Sequence, residues 1–114
     1  MQIAATAAAA LVVALHLLFA LAETVGWSKM ARGFGYNREQ IETTKVLAMN
    51  QGAYNAGLAC VLGWALAAGH QETALAMLLY VVAMAVVGAA TAKWTIFVIQ
   101  GLPALIALGL MLAA

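Results

Sequence analysis

The chain has 114 residues, 67% of them hydrophobic and 8% charged, with five Lys and Arg against four Glu and a net charge of +1. Soluble domains run at about 45–50% apolar and about 25% charged, so a water-soluble globule is excluded: too little polar surface remains to cover one. The charge balance offers nothing to a nucleic acid, and the partner the composition calls for is a lipid bilayer.

One domain is expected at this length. The apolar run over residues 3–25 opens the chain, and a bilayer core of about 30 Å asks for about 20 such residues. A secretory signal starts with basic residues, whereas the first one here is Lys29, so the run reads as a retained membrane helix. Residues 26–45 are the charged stretch, holding Lys29, Arg32, Arg38, Glu39, Glu42 and Lys45. With Trp27 and Tyr36 beside the bases, they read as a connecting loop anchored at the membrane surface. Inside that stretch, Asn37-Arg38-Glu39-Gln40 has the form of a capping box. The second helix should therefore begin near Arg38, cross the membrane over 46–68, and stop at Gly69, a residue suited to a helix C-terminus.

After a tight turn at 69–72, one charge, Lys93, interrupts the remaining residues. Their length is about twice what a bilayer needs, which places a turn near Thr91–Thr95 between spans at 73–92 and 94–113. In the last span Pro103 cannot donate to the carbonyl of Ile99, so a kink is expected there. Gly52, Ala53, Ala56 and Gly57 on the second helix, and Ala83, Gly88, Ala89 and Ala92 on the third, are small enough for close helix contact. The expected fold is all-α: an integral membrane four-helix bundle spanning residues 1–114. All five basic residues fall in the first and third connections, so the positive-inside rule puts those in the cytoplasm and both termini outside it.

Polar side chains within the spans are few. His16 and Glu23 lie seven apart, two turns along one face. Asn50, Gln51, Tyr54 and Asn55 fall within one sector of about 140° at 100° per residue. Tyr80 and Thr91 share a stripe on the third helix, as Lys93, Phe97 and Gln100 do on the fourth. Counting depth from the basic edge brings His16 to Asn55, and Glu23 to Asn50 and Gln100. Such residues serve as interhelical glue in many membrane proteins, but an ionisable pair inside a span is a functional candidate by default. His16 and Glu23 are therefore the candidate catalytic groups, able to act as acid or base in a proton shift. They are too far apart along one helix, about 10.5 Å, to share a metal ion. No metal site or cofactor is expected, and whether a reaction is catalysed stays open.

The run from Lys45 to Gly57, with its Asn50-Gln51-Gly52-Ala53-Tyr54-Asn55 core, and the later Gln100-Gly101-Leu102-Pro103-Ala104, resemble the small membrane proteins of domain-of-unknown-function family 1304. The resemblance covers nearly the whole chain and implies a four-helix membrane protein of prokaryotic type, with no particular activity. Leu21-Ala22-Glu23-Thr24-Val25-Gly26 is also similar to the first helix of small multidrug-resistance transporters. Their glutamate lies near mid-membrane, however, and Glu23 near the inner edge.

The reading that follows is a bacterial inner-membrane, multi-pass protein with a polar pocket on its cytoplasmic half. The pocket would bind a small amphipathic molecule. Glu23 and Lys93 would guard the mouth, with His16, Asn50, Gln51, Tyr54, Asn55, Thr91 and Gln100 along the wall. A proton-coupled exporter, or an accessory subunit of a larger membrane complex, is the alternative, and a homodimer is compatible with each. A reporter fused after Ala114 should behave as non-cytoplasmic; a cytoplasmic signal there would overturn the orientation.

Overall fold

The computed structural model describes residues 1–114, and 88% of them are helical, with no strands. Five α-helices follow one another: α1 (Gln2–Glu23), α2 (Trp27–Gly33), α3 (Arg38–Ala68), α4 (Gln71–Thr91) and α5 (Leu102–Ala113). A π-helical turn, Phe97–Gly101, leads directly into α5. The helices α1 and α4 are long and apolar enough to cross a membrane; the π-turn and α5 together form a shorter apolar helix, Phe97–Ala113. The long α3 carries Asn50, Gln51, Tyr54 and Asn55 in its middle, which dilutes its apolar character.

Local chemistry sets the boundaries of α3. The Asn37 side chain accepts from the Gln40 amide, and the Gln40 side chain accepts from the Asn37 amide, both at 2.8 Å. This closed capping box satisfies two of the amides that every helix start leaves unpaired. At the other end Gly69 adopts φ +74°, a left-handed conformation costly for any side chain, and the chain turns at once into α4. Between those ends α3 runs 31 residues, about 46 Å at 1.5 Å per residue.

Residues 26–36 are not the loop expected of them. They hold the two-turn helix α2, pinned where the Trp27 indole donates to the Thr44 hydroxyl at 3.0 Å and where Ala31 is fully buried. Basic side chains at Lys29 and Arg32 lie on its exposed side; seven residues are too few for periodicity to reveal such a helix.

The interior is built mostly from small residues, around Leu62, Leu78, Val12 and Val81. Ala5, Ala9, Ala59, Ala65, Ala74, Ala85, Ala104 and Ala107 are all buried, whereas Ile3, Val25, Leu47, Val46 and Leu112 are mostly exposed. The tightest crossing is α1 on α3. A Cβ placed on Gly52 would come within 2.6 Å of Thr24 Cγ2 and 3.0 Å of the Ala20 carbonyl oxygen. A second crossing joins α4 to the last helix, where Gly88 lies under Ile96 and Gly101 faces Ala85 and Phe97. Gly57, expected at a contact, faces open space instead.

The kink at Pro103 takes the form of the π-turn. The Leu102 amide reaches back to the Phe97 carbonyl, and the missing proline N–H makes this widened register cheap. Gly52→Ala should therefore destabilise the fold by about 1–3 kcal/mol through overpacking. Gly57→Ala should be neutral or stabilise it by up to about 1 kcal/mol through helix propensity. Thermal melts in detergent measure both, and equal effects would contradict this packing.

Candidate functional site

The helices α3 and α4 leave their shared turn at Gly69 and His70 and border a groove of about 1460 Å³, with α1 and the last helix also contributing to its walls. Toward the turn its lining is apolar: Leu58, Val61, Met77, Val81 and Met84, with Tyr80 among them. Toward the other end lie Glu23, Asn50, Gln51, Tyr54, Asn55, Thr91 and Gln100, roofed by Trp27 and Met30 of α2 and by Phe34 just after it. The groove is thus amphipathic along its length. His16 lines it as well.

Eight of the nine side chains singled out from the sequence line this one groove; Lys93 does not. The helical stripe expected to carry Lys93 with Gln100 is broken, because α4 ends at Thr91 and Lys93 stands exposed in the turn that follows. The π-turn then adds a residue to the register, so Lys93 and Gln100 do not share a face. Lys93 cannot be assigned to the mouth.

The expected pairings are also corrected. Asn55, 8% exposed, donates from Nδ2 to Glu23 Oε1 at 2.5 Å, and His16 does not meet it. Neither Asn50 nor Gln100 is a partner of Glu23. The cause is the register of α1 on α3. Counting depth from Lys45 treats that residue as level with the end of α1, whereas the Gly52 crossing places the α1 end some seven residues further along, about 10 Å.

His16 is 2% exposed, and its Nδ1 lies 2.8 Å from the Val12 carbonyl oxygen. A carbonyl can only accept, so Nδ1 carries the proton and neutral His16 presents Nε2 as an acceptor. Nε2 has no protein partner, and no buried side-chain nitrogen or oxygen is left unbonded, so Nε2 opens onto the groove. Phe19 holds the ring edge-on at a centroid distance of 5.4 Å.

The remaining polar side chains differ from glue in a simple way. Glue bonds across helices, yet the side-chain bond joining two of the long helices is the Asn55–Glu23 one. Thr91 bonds the Val87 carbonyl of its own helix at 2.7 Å. Asn50, Gln51, Tyr54 and Gln100 make no side-chain hydrogen bond to the protein, and Tyr54 is 77% exposed. The arrangement can hold a molecule carrying hydrogen-bonding groups at one end and an apolar body at the other. His70, at the far turn, stacks on Trp64 at 4.6 Å and takes no part. No group of three or more His, Cys, Asp or Glu converges.

Sequence reasoning missed the α2 roof and the Met77, Tyr80, Met84 stripe as site elements. The stripe's spacing of three and four was legible; the roof depends on α2 folding back.

Residues 10–112 match the family described as protein of unknown function (DUF1304), and the chain belongs to that family. No curated protein matches it. No solved structure matches it either.

Stability measurements separate glue from groove. Asn50→Leu and Gln100→Leu should each shift stability by less than about 0.5 kcal/mol. Asn55→Leu, which breaks an interhelical bond, should cost about 0.6 kcal/mol or more. Equal losses at all three positions in denaturant titrations would restore the glue reading.

Proposed function

We propose that this member of the DUF1304 family is a multi-pass protein of the bacterial inner membrane that binds a small amphipathic molecule in the groove between α3 and α4. The membrane reading is supported by the pattern of burial: alanines make up most of the interior, around a few large residues such as Leu62 and Leu78, while many large aliphatic side chains point outward. In water such a surface would drive aggregation; in lipid it is the ordinary arrangement, because tight packing of small residues and not hydrophobic burial holds helices together. In this reading α1, α4, the apolar part of α3 and the last helix cross the membrane. The helix α2 and the first turns of α3 stand at the cytoplasmic surface, with Lys29, Arg32, Arg38 and Lys45.

One observation carries the binding reading. Polar side chains without protein partners gather at one end of a groove whose other end is apolar. Asn50, Gln51 and Tyr54 are exposed on α3; in a bilayer such unpartnered polar groups would be costly, and sites built for ligands keep them at a cost to the fold. The molecule's polar end lies among Asn50, Gln51, Tyr54 and Gln100, its apolar part runs along Val61, Met77 and Met84, and His16 Nε2 accepts a hydrogen bond partway along.

Lipid extraction and mass spectrometry test this. A molecule that co-purifies with the native chain should be lost from His16→Leu and from Asn50→Leu, while both variants keep the native melting temperature. Identical extracts from native and variant chains would overturn the reading.

A further inference from the structure

The groove has an electrostatic character that narrows its ligand. Glu23 is the one carboxylate lining it, and none of the five basic side chains does so. The other three glutamates, Glu39, Glu42 and Glu72, are exposed on α3 and α4 outside it. Glu23 receives a single side-chain bond, from Asn55 to Oε1, and Oε2 makes none. One amide donor does not balance an ionised carboxylate in surroundings of low dielectric, where such a group either takes up a proton or is met by a counter-charge. The protein supplies no such charge. Trp27 and Tyr54 line the same end, and aromatic faces favour a cation there. His16 adds an acceptor.

We propose that the groove selects amphiphiles with a cationic, ammonium-type head over anionic ones, with Glu23 accepting the head. This rests on the reading that the groove binds an amphiphile. Ammonium N–H groups donate to Oε2, while Asn50 and Gln51 offer carbonyl oxygens as further acceptors. A phosphate or carboxylate head would meet Glu23 with like charge and no basic side chain to offset it, which excludes such heads by repulsion as well as by missing partners.

The test uses the full chain in maltoside micelles, with Trp64→Phe and Trp94→Phe so that Trp27 is the sole indole. Three single-chain probes share one brominated tail and differ in the head: ammonium, uncharged glucoside and phosphate. Saturable quenching of Trp27 should favour ammonium over phosphate by about tenfold or more, the size of one charge-assisted hydrogen bond. In Glu23→Gln, whose side-chain carbonyl still accepts from Asn55, the preference for ammonium over phosphate should vanish. Equal binding of phosphate or glucoside in the native chain would overturn the head-group selectivity and leave the groove reading standing; this comparison needs no variant at position 23. Absence of saturable quenching by all three probes, with a cross-linked dimer covering the groove, would overturn both.

Discussion

The approach of α1 to α3 at Gly52 is the contact on which the rest of the molecule depends. With no Cβ in the way, the Ala20 carbonyl and Thr24 come directly against α3. Thr24 keeps its hydroxyl inward by donating to that same Ala20 carbonyl at 2.6 Å. Dispersion contacts at such short range fall away steeply with a small gap, so the crossing tolerates one register. Once it is set, Glu23 faces Asn55, and the first turns of α3 project beyond the end of α1. The chain must then cross that projecting surface, which it does as α2, with Trp27 tied to Thr44.

A groove follows from what this contact leaves unfilled. The helix α1 is shared between α3 and α5, and α4 is fastened to the last helix through Gly88, Ala85 and Gly101. Away from their turn, where Ala65 and Ala74 are buried, no small-residue seam joins α3 to α4: Gly57 faces open space, and Tyr54 and Tyr80 are exposed. Close packing there would need small side chains on both faces. The chain has polar and bulky ones instead, and the two helices border a groove.

Much of this was legible in the sequence because it rests on local chemistry. The capping box at Asn37 and Gln40 and the left-handed Gly69 are decided within a few residues, so the ends of α3 agree with the pattern. The face formed by Asn50, Gln51, Tyr54 and Asn55 follows from helical periodicity alone. What was not legible depends on how elements meet. Asn55 pairs with Glu23, and not with His16, because Gly52 sets a register that no count from Lys45 can supply. Lys93 leaves the site because a turn and a π-bulge rotate the chain between it and Gln100, and α2 is too short to declare itself by period.

The same distinction bears on which polar residues hold the fold and which do not. Asn55 is buried and bonded across two helices, so its removal leaves a carboxylate oxygen without its donor. Asn50, Gln51 and Gln100 owe their positions to helices that would form without them, since nothing in the protein bonds their side chains. A side chain of that kind adds little to helix association, and in a bilayer it would carry the cost of its desolvation. In the proposed reading its place in an otherwise apolar chain is explained by the bound amphiphile. The groove along which these side chains align is polar at the roof of α2 and apolar toward Gly69, the two characters that an amphiphile would need of it.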